Sequence, residues 1–257
     1  MSQDARAEAF AALHRGESFL IPNPWDAGSA RMLESLGFRA LATTSSGFAF
    51  TLGRPDGGAT LDEVTAHVAA LTAATSLPVS VDLENGGDDP ATAIRRVAEA
   101  GAVGGSIEDW DPDGGLYGPQ PAAERVAAAG EAARGLGFPF LLCARAENHL
   151  RGNPDLDDTI ARLQAYEAAG ADVVYAPGLR TVDEIRAVCS AVTKPVNVLA
   201  VPSLSFAEIA AAGARRVSVG GALTWVAVRA AAEAAAALRE GDLSPLAARV
   251  PLGDWFA

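Results

Sequence analysis

The chain has 257 residues, 49% of them hydrophobic and 20% charged, which supplies apolar surface for a large core and excludes global disorder. Its 32 acidic and 20 basic side chains leave a formal charge of −12, which repels nucleic-acid phosphates and anionic membrane surfaces, so neither is an expected partner. The start MSQDARAEAF has no apolar signal run and the two cysteines, Cys143 and Cys189, cannot make a disulfide framework, so a reduced, cytoplasmic protein is expected.

Short β-rich runs alternate with Ala-rich helical stretches, the pattern of parallel βαβ architecture. Eight runs are expected as strands: Phe19–Pro22, Arg39–Thr43, Pro78–Asp82, Val103–Ile107, Phe140–Ala144, Asp172–Ala176, Val196–Leu199 and Arg216–Val219. The fourth, sixth and eighth are entered through Ala-Gly-Ala at 100–102, 169–171 and 212–214, where glycine can end a helix in the left-handed conformation. The third, fifth and seventh are entered through Pro78, Pro139 and Pro195 instead, and a proline suits a strand start. This parity of two fits a closed (β/α)8 TIM-type barrel, whose interior layers come from alternate strands; an open doubly wound sheet is the alternative. Two non-periodic stretches, 44–59 and 109–121, follow the second and fourth strands and fall on the carboxyl-end face of such a barrel. The most apolar late stretch, Trp225–Leu238, is broken by Arg229 and Glu233 and is too short for a membrane span. We expect one domain over 1–257, with C-terminal helices from about 222 onward. The closing Asp254-Trp255-Phe256 suggests packing against a neighbouring subunit or against the barrel itself.

The residues just past the strands are polar and mostly acidic. Asn23, Trp25 and Asp26 follow the first; Ser45, Ser46, Gly47 and, farther on, Asp56 follow the second; Asp82 and Glu84 end the third, Glu108 the fourth, Arg145 the fifth. Tyr175, Asn197 and the pair Gly220-Gly221 follow on the last three. Asp82 and Glu84 project to one side of an extended strand, and Glu108 on the adjacent strand reaches the same point. Carboxylates that close raise one another's pKa unless a cation neutralises them, and oxygen donors without thiolate select a hard ion such as Mg²⁺. Rim ion pairs or helix caps are the plainer explanation for any single acid. Arg145 is either a counter-ion to these acids or a bidentate partner for a substrate carboxylate. The Ser45-Ser46-Gly47 turn offers donors to an anionic oxygen, and Gly220-Gly221 could hold a phosphate. His149 reads as a loop hydrogen-bonder, and His14 and His67 fall on helices away from this face.

Several blocks, in order and spacing, resemble the isocitrate lyase/phosphoenolpyruvate mutase superfamily over nearly the whole chain. They are Asn23-Pro24-Trp25-Asp26, Thr44-Ser45-Ser46-Gly47-Phe48, Leu52-Gly53-Arg54-Pro55-Asp56, Val81-Asp82-Leu83-Glu84-Asn85-Gly86, Ser106-Ile107-Glu108-Asp109, Ala144-Arg145-Ala146-Glu147 and Pro195-Val196-Asn197. The resemblance implies a Mg²⁺-dependent barrel that makes or breaks a C–C or P–C bond beside a 2-oxo acid through an enolate-type intermediate. It also implies a homodimer or homotetramer that exchanges a late helix. Asp82 then corresponds to the direct metal ligand, and Asp56, Glu84 and Glu108 to acids that hold its waters. Ser45, Ser46, Gly47 and Arg145 correspond to the binders of the acid's carboxylate, with Trp25 and Asn197 as further substrate contacts.

Two departures matter. The usual Asp-x-Asp of the third strand is Asp82-x-Glu84 here. The Lys-Lys-Cys-Gly-His loop of the lyases is replaced by Asp109-Trp110-Asp111-Pro112-Asp113-Gly114-Gly115-Leu116-Tyr117-Gly118-Pro119. Tyr117 is then the substitute proton donor, with Arg145 and Glu108 beside it in the catalytic set. The expected activity is a Mg²⁺-dependent lyase reaction on a small 2-oxo acid, by C–C cleavage or decarboxylation. A phosphonate-processing enzyme and a non-catalytic 2-oxo acid-binding barrel are the alternatives.

Overall fold

A computed structural model describes residues 1–250 and 252–255. Eight parallel strands, β1 (Phe19–Ile21), β2 (Leu41–Ala42), β3 (Val79–Asp82), β4 (Gly104–Glu108), β7 (Leu141–Arg145), β8 (Val173–Tyr175), β9 (Val196–Leu199) and β10 (Arg216–Ser218), run in the order β1-β10-β9-β8-β7-β4-β3-β2. The two end strands meet where Ala42 N–H donates to the Pro22 carbonyl at 3.1 Å, which brings the sheet round into a nearly closed barrel. The expected (β/α)8 class and all eight strand positions therefore hold, with ends moved by a residue or two. The remaining strands, β5 (Trp110–Asp111) and β6 (Gly115–Leu116), form a separate antiparallel hairpin inside the stretch read as irregular.

Local chemistry starts and stops the helices where the sequence says it should. Thr60, Thr181 and Ser205 each cap a helix in a reciprocal box with the glutamate three residues on, satisfying two otherwise orphaned donors apiece. Asp89 caps α5 (Pro90–Glu99), whose first residue is a proline with no N–H to satisfy. Gly101, Gly170 and Gly213, the centres of the three Ala-Gly-Ala entries, have φ of 100°, 106° and 111°, a region closed to most side chains. One expectation is corrected: residues 44–59 are not irregular throughout, because Thr44 accepts from Gly47 N–H and starts a short helix, α3 (Ser45–Thr51).

The main core lies between barrel and helices, where Val81, Ile94, Leu142, Leu163, Ile185 and Val198 are essentially inaccessible. Helix α1 (Gln3–Arg15) packs Phe10 with Phe19, Ile21 and Val103 and so covers the amino end of the barrel. Both cysteines are free, Cys143 buried and Cys189 half-buried. The long α10 (Ala222–Arg239) behaves differently, since of its 18 residues only Thr224 is buried and Trp225 and Val226 are 46% and 56% exposed. Among the described residues no helix is long and apolar enough to cross a membrane. Trp255 of the closing segment is half-buried; Phe256 lies outside the described residues.

Candidate active site

The carboxyl ends of β3, β4 and β7 converge on Arg145. Strand pairing places Asp82 beside Ser106 and Glu108 beside Arg145, so all three charged groups issue from neighbouring staves. The guanidinium of Arg145 donates to Asp82 Oδ1 at 2.9 Å and reaches Glu108 Oε2 and Glu147 Oε1, each at 2.8 Å. Arg151 stands behind, 3.6 Å from Glu108 and 3.7 Å from Glu147, with its guanidinium 4.4 Å from the Trp110 ring centre. The second oxygen of Asp82 accepts from Ser45 N–H at 3.2 Å, and its own N–H donates to Thr43 Oγ1 at 2.8 Å. These contacts hold the Asp82 carboxylate toward the barrel mouth.

Glu84 sits just past β3 with φ of 53°, the sole non-glycine in the left-handed region among the described residues. Such a conformation is costly for a residue with a Cβ and persists where the surroundings fix it, often at functional sites. Burial, followed by the nearby Asp82 and Asp56 charges, pushes the Glu84 carboxyl up to about 7. Burial likewise pushes Glu108 up; Arg145 opposes this, but Glu147 and Asp82 compete for the same guanidinium.

A cavity of about 460 Å³ is lined by Asp56, Glu84, Glu108, Trp110, Arg145 and Arg151. It adjoins a second, of about 230 Å³, that descends into the barrel past Ser45, Ser46, Asp82, Arg145, Tyr175 and Asn197. The structure therefore brings Asp56, Asp82, Glu84, Glu108, Arg145, Ser45, Ser46 and Asn197 to two connected spaces. Gly47 lies just behind: a Cβ there would stand 2.6 Å from Thr224 Oγ1, 2.7 Å from Thr44 Cγ2 and 3.1 Å from Trp25 Cβ. Trp25 thus backs the Ser46-Gly47 turn and does not line either space.

Tyr117 is not brought there. Its hydroxyl donates to Asp111 Oδ2 at 2.8 Å, the Arg125 guanidinium lies 5.2 Å from its ring centre, and the hairpin side chains that do face the cavity are Trp110 and Pro112. The hairpin is anchored from below by Asp109, 2% exposed, which accepts from Glu147 N–H at 2.7 Å, Arg162 Nη1 at 3.0 Å and Tyr166 Oη at 2.5 Å.

The sequence reading passed over Glu147 and Arg151 as site residues. Glu147, wholly buried, lies two positions past Arg145, the spacing already used to join Asp82 with Glu84, and so could have been found. Arg151 is placed by a turn with no sequence signal. His67, expected away from the face, stacks on Phe48 with ring centres 4.0 Å apart and lines a pocket of about 130 Å³ together with Asp82 and Glu84.

Five carboxylates (Asp56, Asp82, Glu84, Glu108 and Glu147) face two guanidinium groups, so the mouth of the barrel is short of positive charge. Among the described residues no three acidic, imidazole or thiol groups are already drawn together as a ligand cage. The donors that line the mouth are carboxylate oxygens with no thiolate among them, a set that fits a hard ion such as Mg²⁺ better than zinc.

Known proteins resemble this chain over most of its length. Residues 10–239 match the family described as phosphoenolpyruvate phosphomutase. An uncharacterised protein of Mycobacterium tuberculosis is 34% identical over 90% of this chain and 89% of its own length. An oxaloacetate decarboxylase of Bradyrhizobium is 32% identical over 94% of this chain and 88% of its own. The crystal structure of a putative lyase/mutase from Burkholderia cenocepacia superposes with a TM-score of 0.95 at 54% identity, covering 99% of this chain and 96% of that one. The chain accordingly belongs to the phosphoenolpyruvate phosphomutase family, within the isocitrate lyase/phosphoenolpyruvate mutase superfamily of lyases and mutases.

Proposed function

We propose that this protein is a Mg²⁺-dependent lyase that cleaves a bond to C3 of a small 2-oxo acid, by C–C cleavage or decarboxylation. The observation that carries the reading is the surplus of carboxylates over guanidinium groups around Asp82, from the wholly buried Glu147 to the exposed Asp56. Asp82 would hold the ion directly, with Asp56, Glu84 and Glu108 on its waters. When bound, Mg²⁺ supplies positive charge to the oxygens on which an enolate's charge develops. The chain's own groups orient the acid: Ser45, Ser46, Arg145 and Asn197 line the inner space together. Arg145 spends most of its donors on Asp82, Glu108 and Glu147, so it acts first to fix those carboxylates and offers its remaining N–H to the substrate. Tyr117 can serve as proton donor only if the 110–118 segment moves, because Asp111 holds its hydroxyl.

Isothermal titration of oxalate, an enolate mimic, tests this directly. Binding that requires Mg²⁺ and is abolished in Asp82→Ala is expected; wild-type protein that ignores oxalate in the presence of Mg²⁺ refutes it. The family match to a phosphomutase favours a second reading, a phosphonate-processing enzyme on the same site, which phosphate release from phosphonopyruvate would reveal. The resemblance of the 32%-identical relative, an oxaloacetate decarboxylase, favours the first. We further propose a homodimer or homotetramer in which a second copy covers the exposed Trp225–Val226 face of α10.

A further inference from the structure

Asp82 ends β3 in extended backbone, but the next acid does not continue it. From Glu84 to Gly87 the chain turns through three left-handed residues, Glu84, Gly86 and Gly87, with φ of 53°, 81° and 65°. Glycine takes such angles freely, and at Gly86 space also bars a side chain, since a Cβ would stand 3.1 Å from Pro90 Cβ and 3.2 Å from Ile107 Cγ2. Glu84 has a Cβ and no such freedom, so its conformation is imposed by its surroundings. The site depends on it. The angle φ sets the direction in which Cβ leaves the chain, and with it whether the carboxylate reaches the cavity that Glu84 shares with Asp56.

Two contacts impose the turn. On one side Glu108 N–H donates to the Glu84 carbonyl at 2.7 Å, which carries the β3–β4 pairing past the end of the strand. On the other, helix α6 (Pro119–Arg134), packed beside α5, sends Arg125 to the turn. A single terminal nitrogen of Arg125 donates to the Asn85 carbonyl at 2.8 Å and to the Gly87 carbonyl. Those carbonyls bracket Gly86, and a charged donor makes the stronger kind of hydrogen bond. Asn85 Oδ1 also accepts from Gly87 N–H at 2.8 Å, a side-chain turn within the same residues. Nothing else competes strongly for the Arg125 charge. Among the described residues no ion pair includes it, and its Nε is buried without a hydrogen-bond partner. The Tyr117 ring, with its centre 5.2 Å from the guanidinium carbon, forms the remaining seat.

We propose that Arg125 is a positioning residue: seated on the Tyr117 ring, it clamps the 84–87 turn in its left-handed form and so aims the Glu84 carboxylate at the waters of the bound ion. This rests on the Mg²⁺ reading above. It gives Tyr117 a part in the site that its engaged hydroxyl does not limit, because the ring acts through Arg125 and the turn while Asp111 keeps the hydroxyl. Arg125 itself lines neither of the two connected spaces, so its effect is confined to what the turn presents.

Two measurements read the two halves of the proposal. Oxalate titrations at a series of Mg²⁺ concentrations give the apparent Mg²⁺ affinity, and NMR of metal-free protein gives amide exchange at Glu108, whose N–H is bonded to the Glu84 carbonyl. In Arg125→Met the Mg²⁺ affinity is expected to fall about tenfold. Glu108 exchange quickens by about tenfold or more, while Val174 N–H, bonded to the Pro195 carbonyl away from the turn, keeps its wild-type rate. Arg125→Lys, which keeps a cationic donor, loses about threefold or less in Mg²⁺ affinity. In a Glu84→Gln background Arg125→Met costs less than about twofold more, because both changes act through one carboxylate. Unchanged Mg²⁺ affinity or unchanged Glu108 exchange in Arg125→Met overturns the clamp. An undiminished loss in the Glu84→Gln background overturns it too, as does a Val174 rate that rises with that of Glu108, since a general loosening of the barrel would give either. Wild type that binds no oxalate with Mg²⁺ refutes the ion reading and takes the role of Arg125 at the ion with it; the metal-free exchange arm tells that failure from a turn that Arg125 does not hold.

Discussion

Removing the Asp109 carboxylate should loosen the floor of the site more than any surface change. Asp109, Arg162 and Tyr166 are 2%, 5% and 1% exposed, and the one carboxylate accepts from Arg162, from Tyr166 and from Glu147 N–H. In Asp109→Ala a buried guanidinium keeps only Asp158 as an ionic partner, and the Tyr166 hydroxyl and a backbone N–H lose their acceptor. Breaking a buried ion pair from one side costs about 3–5 kcal/mol. For a chain of this size each kcal/mol moves Tm by about 2–4 °C, so a fall of roughly 10 °C is expected by calorimetry. Tyr166→Phe removes a single donor to a charged acceptor and should cost about 1.5–3 kcal/mol. Burial and the Asp109 charge push the Tyr166 phenol up, so it remains a proton donor through the accessible pH range. Urea midpoints for both variants and the double variant complete the cycle. A loss below about 1 kcal/mol in Asp109→Ala, or strict additivity in the double variant, would refute the network.

Three further outcomes are expected. His14 is held down to about 3 against 6.5 in the open chain, so the unfolded state takes the proton first; stability is full above about pH 6.5 and declines as pH falls toward 3. Its slope from this group is about 1.4 kcal/mol per pH unit, and His14→Gln should flatten that part of a pH series of urea midpoints. Gly47→Ala forces a methyl against Thr224 Oγ1 and Thr44 Cγ2 and should cost about 1–3 kcal/mol, read as a lower Tm. Val226→Asp, on the exposed face of α10, should convert an oligomer to monomer by light scattering; a monomeric wild type would sink the assembly.

Much of this molecule is written in local sequence. Strand positions follow from short β-rich runs, and their starts and stops from Pro78, Pro139, Pro195 and the three Ala-Gly-Ala entries, because φ restriction and glycine's freedom are properties of single residues. Asp82 was legible as a strand-end acid for the same reason, whereas Glu84 reaches the same space through a left-handed turn past β3, at φ of 53°, and not by strand alternation. Folding decided what those residues face. Arg145 could be read as counter-ion or substrate clamp until pairing with Glu108 and the reach of Asp82 and Glu147 showed where its donors go. Tyr117 had the right chemistry in the right loop, yet the β5–β6 hairpin turns its hydroxyl to Asp111. Arg125 had no signal, standing on a helix away from the strand ends; only the packing of α6 beside the turn past β3 brings it to the Asn85 and Gly87 carbonyls. Residue type and spacing set each local conformation, whereas partner choice for a charge depends on which distant strands the closed sheet brings alongside.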